Sequence, residues 1–399
     1  MHPTLFTIPS TIAGIPVFGF GLLFGLWAVA STLLVIAMLR KPGGRAELLA
    51  TLPALVLSGA AIAFVLPRLI EPAGLAIRGY GVLLLVAVAS GVGLSVIRAR
   101  RRGIDPELIL SLATWLFVSG ILGARVFFVI EYWQDFLRPS AKNPELVPTL
   151  LSILDVTKGG LVVYGAMIAG GLALLVFVRK HRFPALAMTD LIAPSVVLGM
   201  AIGRLGCFMT GCCFGGVCSL PWAVEFPYKS PPYIQQVERG QLPVHGLTFE
   251  GPGKAPPVVR RIEPQSPAAL AGLKHGDRIT QVAGRNIRSV DEAVALLLEP
   301  PPVPGTVLTV RTSAGEAPAR LTLTEDPRVV EHSRAVHPAQ LYSAFDALLL
   351  CLFLLAYEPY QRRTGELTAL VLTIHPLSRF LLEIVRVDEG AVFGTSLSI

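Results

Sequence analysis

The chain alternates long apolar stretches with short polar ones, and this pattern predicts a bundle of membrane-spanning helices. Apolar runs of about 18 residues or more are long enough to cross a bilayer as helices. Composition agrees, since 53% of the residues are hydrophobic and 15% are charged, which excludes an ordinary soluble domain. We expect eight spans, over about residues 17–39, 48–66, 80–97, 108–130, 159–178, 191–209, 341–360 and 367–385.

The basic residues predict how these helices are oriented. They crowd into alternate short loops, which the positive-inside rule places in the cytoplasm, so the N-terminus and the stretch from about 210 to 338 lie outside. The net charge is +7, but the long stretch mixes both signs, so no nucleic-acid partner is expected. The basic clusters are Arg40, Lys41 and Arg45; Arg98, Arg100, Arg101 and Arg102; Arg179, Lys180 and Arg182; and Arg362 and Arg363.

The stretch between the sixth and seventh runs has the composition of a small folded domain. Its pattern predicts a strand, a short helix after Ser266, a strand ending at Gly284, a helix over about 290–298, and strands around 306–312 and 319–324. The sequence "SPAALAGLKHGDRITQVAGRNI" resembles a PDZ domain. That resemblance implies a module that captures a peptide by adding it as a strand to a sheet edge. A spacer that binds nothing is the alternative.

Ionisable groups inside the apolar runs are the functional candidates, because a charge at membrane depth is costly and usually faces a cavity or a polar partner. Arg379, Glu383 and Arg386 are spaced i, i+4 and i+7, so they share one helix face. A carboxylate there can orient Arg379 through a charge-assisted bond. With the N-terminus outside, the same depth also collects Arg125, Arg204, Tyr80 and Tyr164.

Guanidinium groups at this depth point to a phospholipid head group as ligand, because their planar forks match phosphate oxygens. The alternative is snorkelling, in which arginines near helix ends only lift their charge to the interface. That alternative fits Arg386, just past its helix, better than it fits Arg204, which is flanked by Gly203 and Gly206.

Several motifs, in order along the chain, resemble the prolipoprotein diacylglyceryl transferase family. They are "RGYGVLLL", "GARVFFVIEYW", "GGLVVYGAMIAGG", "GRLGCFMTGCCFGG" followed by "PWAVEFP", "HPAQLYSA" and "SRFLLEIVRVDEG". The implied fold is an α-helical polytopic membrane core interrupted by a small α/β domain. Its parts are an extra helix pair at 1–76, core segments at 77–225 and 327–399, a head segment at 226–253 and the PDZ-like domain at 254–326.

The resemblance implies a bacterial inner-membrane enzyme that moves the diacylglyceryl group of phosphatidylglycerol onto the lipobox cysteine of a preprolipoprotein and releases glycerol 1-phosphate. It implies no cofactor and no metal. Arg204 and Arg379 would bind or polarise the phosphate, Glu383 would hold Arg379, and Tyr80 and Tyr164 would complete the catalytic set. Further contacts to phosphatidylglycerol are implied for Arg125, Arg386, Gly165, Cys207, Gly215, His337 and Gln340.

The sequence departs from the family pattern near the chemistry. Tyr164 stands where the family often has a histidine, and it is a weaker base at neutral pH because an unperturbed tyrosine has a pKa of about 10. Cys207 and Cys212 replace the signature Asn and Glu. The family ends with a further transmembrane helix, whereas this chain stops at "FGTSLSI". We expect truncation; the alternative is that the extra helix pair before Tyr80 fills part of the gap.

The thiols leave several interpretations open. For Cys207, Cys212, Cys213 and Cys218, at the outer end of the sixth run, disulfides are favoured over a metal, because paired C-x₂₋₄-C ligands are missing. Cys351 is expected to be an apolar filler. A thiol oxidoreductase would need C-x-x-C and a site-2-type protease H-E-x-x-H, and neither string occurs. A non-catalytic lipid- or peptide-binding protein on the same fold stays the alternative.

Overall fold

The chain divides into two units, residues 1–83 and 84–399. The computed structural model describes residues 4–12, 14–40, 44–70, 74–133, 160, 162–250, 256–299, 307–313, 319–322 and 332–386. The predicted truncation concerns the stretch after "SRFLLEIVR", which lies outside the described residues.

The first unit contains the predicted extra helix pair. Helix α1 (Leu22–Leu39) packs against α2 (Gly44–Ala60), and Trp27 Nε1 donates a hydrogen bond of 3.0 Å to Ser58 Oγ across the pair. A π-helical turn and a 3₁₀ turn extend α2 to Leu69. The short strands form two antiparallel pairs, β1 (Thr4–Ile8) with β4 (Leu75–Arg78) and β2 (Thr11–Ile12) with β3 (Ile15–Pro16).

Four long helices follow. They are α3 (Gly79–Arg101), which begins in the first unit, α4 (Pro106–Glu131), α5 (Val163–Lys180) and α6 (Ala185–Thr210). Helices α4 and α5 pack closely because Gly165 has no side chain: a Cβ there would lie 2.3 Å from the Gly123 carbonyl oxygen. Lipid gives little hydrophobic drive for helix association, so close backbone approach at small residues carries much of this packing.

The chain then forms a small α/β region, residues 231–322, with antiparallel strand pairing. Its four-stranded sheet has the order β10 (Ala319–Thr322), β9 (Val307–Thr312), β7 (Ile279–Val282) and β8 (Arg285–Asn286). Separately, β5 (Leu247–Phe249) pairs with β6 (Val259–Ile262). Ser266 and Ser289 cap the two helices that the sequence predicted, by accepting from backbone N–H groups. The elements are α7 (Pro231–Glu238), β5 (Leu247–Phe249), β6 (Val259–Ile262), α8 (Pro267–Leu270), β7 (Ile279–Val282), β8 (Arg285–Asn286), α9 (Val290–Leu298), β9 (Val307–Thr312) and β10 (Ala319–Thr322).

The core of the α/β region begins upstream of residue 254. It includes Tyr233 and Val237 of α7 and Leu247 and Phe249 of β5, together with the apolar faces of the later strands and helices. Helix α7 contacts both α9 and β5. The head segment and the predicted small domain therefore share one core.

The two ends of this insertion meet beside the helical core. Phe226 N donates to Ser333 Oγ at 3.0 Å, and Ser333 N donates to the Phe226 carbonyl oxygen at 2.7 Å. Gln236 of α7 holds both backbone groups of Arg334, accepting from its N–H at 2.8 Å and donating to its carbonyl oxygen at 3.2 Å. The insertion thus leaves and rejoins the core at one point.

Two more helices, α10 (Ala339–Tyr357) and α11 (Glu366–Glu383), pack against α6. The fully buried carboxylate of Asp190 in α6 anchors the start of α11. It accepts from Gly365 N at 2.5 Å, from Thr368 N at 2.8 Å, from Thr368 Oγ1 at 2.7 Å and from Gln361 Nε2 at 2.6 Å. A negative charge at a helix N-terminus also meets the positive end of the helix dipole.

The helices support the predicted polytopic membrane protein, though not the full count of eight spans. The eighth predicted span forms α11, but its 18 residues carry the charges of Glu366, Arg379 and Glu383. It is therefore less apolar than the others, and its crossing of the bilayer stays a prediction. Within the described ranges, seven segments are long and apolar enough to span: Leu22–Leu39, Thr51–Arg68, Gly79–Arg101, Pro106–Glu131, Val163–Lys180, Ala185–Thr210 and Ala339–Tyr360.

Because Asp190 anchors α11, we expect the Asp190→Asn substitution to lower the free energy of unfolding. The carboxylate accepts from four donors, and the amide of the variant puts N–H groups in place of one accepting oxygen, so we expect a loss of about 1–3 kcal/mol, seen as a lower unfolding temperature in detergent. Asp105→Asn is the matched control, because Asp105 caps α4 in an exposed position and Asn caps equally well. Equal shifts in both variants would contradict the anchoring role.

A second prediction concerns pH and the α/β region. Burial lowers the pKa of His245, whose Nε2 lies 2.8 Å from the Leu297 carbonyl oxygen. Its stabilising contribution is therefore full above the unfolded pKa of about 6.5 and falls as the pH drops through the lower folded value. The protection of amides in residues 256–299 against hydrogen exchange, corrected for the intrinsic exchange rate at each pH, should decrease between about pH 7 and pH 5. His245→Asn, which tolerates the left-handed backbone there, should weaken this dependence; an unchanged profile would refute the assignment.

Candidate functional site

A cleft at one end of the helical core brings Arg204 and Arg379 together. Both side chains are half-buried, and they come from helices far apart in the sequence, α6 and α11. Arg204 makes no ion pair within the part of the chain that the structure describes. Its guanidinium is therefore available to an anion from outside the protein. The cleft is lined by Met200, Arg204, Ser343, Asp346, Ala347, His375, Arg379 and Leu382.

Glu383 organises the arginines on α11, as the i, i+4, i+7 spacing predicted. Its Oε2 atom lies 2.5 Å from Arg379 Nη1 and 3.5 Å from Arg386 Nη1. The carboxylate is 8% exposed, so both contacts are largely shielded from water. A buried carboxylate between two guanidiniums fixes their direction and leaves the set positively charged.

The sequence did not predict two ionisable residues of the cleft, Asp346 and His375. Asp346 accepts a hydrogen bond of 2.7 Å from Ser378 Oγ, and the buried Nδ1 of His375 has no hydrogen-bond partner among the residues that the structure describes. His375 lies one turn before Arg379, and an ionisable residue inside an apolar run could have flagged it. Arg204, Arg379 and Arg386 against the carboxylates of Asp346 and Glu383 leave one formal positive charge.

Three cysteines meet where α6 ends: Cys207 lies in its last turn, and Cys212 and Cys213 lie on the loop that follows. The Sγ atoms of Cys207, Cys212 and Cys213 all lie within 4.8 Å of one another. Cys213 has a left-handed backbone, with φ of 58°, which turns the chain so that neighbouring residues reach the same point. Hydrogen bonds from Cys207 and Cys213 hold the pKa of the Cys212 thiol well below its usual value. In the described part of the chain all cysteines are free, so the favoured disulfide is absent there.

Three other predicted residues fix the backbone of this loop. Gln340, fully buried at the start of α10, donates from Nε2 to the Cys212 carbonyl oxygen at 2.6 Å. Gly215 N donates to the His337 carbonyl oxygen at 2.9 Å, and a Cβ at Gly215 would lie 2.6 Å from the His337 Cβ. The next residue, Gly216, bonds to the Val385 carbonyl oxygen just after α11. The loop is therefore tied to both α10 and the chain beyond Glu383.

The remaining predicted residues lie elsewhere. Arg125 on α4 donates to the Gly160 carbonyl oxygen at 3.1 Å and stands over the Phe128 ring. Tyr164 on α5 is 55% exposed, and the backbone of Gly165 packs directly against α4. None of these residues lines the Arg204–Arg379 cleft. Tyr80, in the first turn of α3, is 41% exposed and belongs to the first unit.

Cys351 and Cys218 stand apart from the loop cluster. Cys351 is buried between α10 and α6, where its thiol donates to the Pro194 carbonyl oxygen at 3.3 Å, in agreement with its expected role as a core filler. Cys218 is half-buried and does not join the three sulfurs.

The helices are those of a polytopic membrane protein, and two of them bring Arg204 and Arg379 together in one cleft. The chain belongs to the prolipoprotein diacylglyceryl transferase family, whose model matches residues 67–399. The motifs quoted above therefore identified the family correctly.

Relatives with curated names agree with this assignment. The chain is 34% identical, over its full length and 85% of the relative, to a phosphatidylglycerol–prolipoprotein diacylglyceryl transferase of Rhodopirellula baltica. Proteins of the same name from Trichormus variabilis and Clostridium tetani are 38% and 34% identical. Those matches cover 43% and 40% of this chain and 58% and 60% of the relatives.

Proposed function

We infer that this chain is a phosphatidylglycerol–prolipoprotein diacylglyceryl transferase of the bacterial inner membrane. It transfers the diacylglyceryl group of phosphatidylglycerol to the lipobox cysteine thiol of a preprolipoprotein and releases glycerol 1-phosphate. Family membership and a relative of this name that aligns with the whole chain support the activity. The observation that carries the site is the shared cleft of Arg204 and Arg379.

We propose that the cleft binds the phosphodiester and stabilises its departure. The substrate sulfur forms a bond to the glyceryl carbon, the bond from that carbon to the phosphate oxygen breaks, and the electron pair leaves on the oxygen. Negative charge then grows on the phosphate, where preorganised guanidiniums act most strongly. Arg204 and Arg379 are the groups proposed to meet it, and Glu383 keeps Arg379 and Arg386 in place.

An apolar cleft between α3, α4 and α6 suits the acyl chains of the lipid. Its volume is about 480 Å³, and its walls include Val88, Leu112, Phe117 and Val196. We propose that a diacylglyceryl tail lies there while the head group reaches the arginines, because α6 contributes to both clefts.

We further propose that the arginine cleft faces the outer leaflet. The basic residues at the C-terminal ends of α3 and α5 mark the cytoplasmic ends of those helices under the positive-inside rule. Arg204 lies near the C-terminal end of α6, which follows α5 after a short turn and so ends on the other side. The α/β region follows directly and would be periplasmic.

For the α/β region we propose a role in choosing preprolipoproteins. Its resemblance to PDZ domains suggests peptide capture at a sheet edge. Strands β8 and β10 are the outer strands of the four-stranded sheet, and we propose that a peptide adds at one of these two edges. The Gln236–Arg334 hydrogen bonds hold the region next to the core.

Arg204→Ala should reduce transfer by about 100-fold or more, because it removes a charged donor from the departing phosphate. Mass spectrometry of a lipobox peptide incubated with phosphatidylglycerol and the purified protein measures the diacylglyceryl gain. Arg204→Lys keeps the charge without the planar fork and should lose less. Arg100→Ala, at the exposed end of α3, is the control and should keep its activity. Transfer by Arg204→Ala within about twofold of the parent would exclude this role.

Replacing residues 228–331 by a short Gly-Ser linker should leave the catalytic core folded, because Phe226 and Ser333 already contact each other. This cut removes the whole α/β core, whereas deletion of 254–326 would expose Tyr233 and Val237. Transfer to a short lipobox peptide should persist, and the rates for a panel of full-length preprolipoproteins should change relative to one another. Identical relative rates before and after the excision would eliminate the sorting role.

A further inference from the structure

The cluster of Cys207, Cys212 and Cys213 has the geometry of a metal site. Zinc–sulfur bonds of about 2.3 Å place tetrahedral sulfur ligands roughly 3.8 Å apart, and the three Sγ atoms already lie within 4.8 Å of one another. The left-handed Cys213 explains how two adjacent cysteines face a common point, which the spacing alone did not predict.

The surroundings of the cluster are rigid and polar. Gln340 is fully buried, its Nε2 donates to the Cys212 carbonyl oxygen, and its Oε1 has no hydrogen-bond partner within the described ranges. The Thr210 hydroxyl lies 3.3 Å from the Cys212 sulfur. Hydrogen-bonded neighbours of this kind orient metal ligands and fix their loop before a metal arrives.

We propose that Cys207, Cys212 and Cys213 bind one Zn²⁺ through three thiolates and leave its fourth position for the thiol of the substrate cysteine. No fourth histidine, cysteine or carboxylate joins the group among the described residues. Three protein ligands with an open position are typical of catalytic zinc sites. The proposal rests on the transferase function given above, because it supplies that reaction with its nucleophile.

A zinc-bound thiol meets the chief chemical need of the transfer. A free thiol is mostly protonated at neutral pH, whereas a thiol that coordinates zinc is deprotonated. The proton goes to solvent as the sulfur binds. The zinc-bound sulfur then forms the bond to the glyceryl carbon, the carbon–oxygen bond breaks, and the thioether product leaves the metal. Tyr164, the residue at the family's histidine position, does not line the cleft.

The location of the cluster fits this role. Cys207 lies three residues after Arg204 on α6, so the two side chains share one face of the helix. The Cys212–Gly216 loop is hydrogen-bonded to Val385, two residues beyond Glu383. The nucleophile would therefore approach beside the arginines that hold the phosphate.

The test begins with the intact protein in detergent, stripped with a chelator and reloaded with Zn²⁺ or Co²⁺. We expect one metal ion per chain by elemental analysis, and a thiolate-to-cobalt absorption band in the Co²⁺ form. A lipobox peptide should shift that band, and the same peptide with serine in place of cysteine should not. These measurements need no variant, so they do not depend on a variant's folding.

Variants then assign the ligands. Cys207→Ser, Cys212→Ser and Cys213→Ser should each lose stoichiometric metal, and Cys218→Ser is the matched control that should keep it. Metal-free protein should lose diacylglyceryl transfer by about 100-fold and regain it with Zn²⁺, since activation of the nucleophile is then missing. The control variant should show the same loss and recovery.

Three results would overturn the proposal: no stoichiometric metal, a native disulfide within the cluster, or full transfer by metal-free protein. If metal-free protein is fully active and His375→Ala is inactive, the imidazole of His375 would instead accept the proton of the substrate thiol. Absence of transfer by zinc-loaded parent protein would refute the transferase function itself, and the cobalt band with the two peptides would still decide whether the site binds a substrate thiol.

Discussion

The buried hydrogen bonds between Asp190 and the start of α11 determine where the cleft forms. Asp190 and Arg204 are 14 residues apart on α6, and Gly365 and Arg379 are 14 residues apart at α11. At a rise of about 1.5 Å per residue, both arginines stand roughly 21 Å from the anchor. Because the two helices run in the same direction from one fixed point, the guanidiniums arrive at the same depth. Moving α11 by one turn would separate them by about 5 Å.

Different parts of α6 stabilise the fold and contribute to the cleft. The N-terminal part of α6 supplies the anchor, its middle packs Ala193, Val197 and Ala201 against α10, and its C-terminal part supplies Arg204 and the cysteine loop. Charges that would be costly in lipid are placed where a partner exists: Arg98 and Arg102 meet Glu358, and Arg379 and Arg386 meet Glu383.

Much of this could be predicted from the sequence. The length of the apolar runs predicted the helices, and the i, i+4 spacing predicted the pairing of Arg379 with Glu383, because both features depend on local periodicity. The meeting of Arg204 with Asp346 and His375 was out of reach, because it depends on how α6, α10 and α11 pack. The spacing of the cysteines does not show that three sulfurs meet, because the meeting depends on the left-handed backbone of Cys213. Likewise, the burial of Tyr233, not composition, sets the start of the α/β core.

The double hydrogen bond between Gln236 and Arg334 gives the α/β region a mechanical connection to the cysteine loop. The backbone that follows Arg334 accepts from Cys218 N at the Ala335 carbonyl oxygen and then bonds to Gly215 and Gly216 at His337. Gln340, in the next turn, holds Cys212. A peptide bound to the α/β region would therefore act on this short path of hydrogen bonds, which ends at the first turn of α10 and at the loop that carries Cys212.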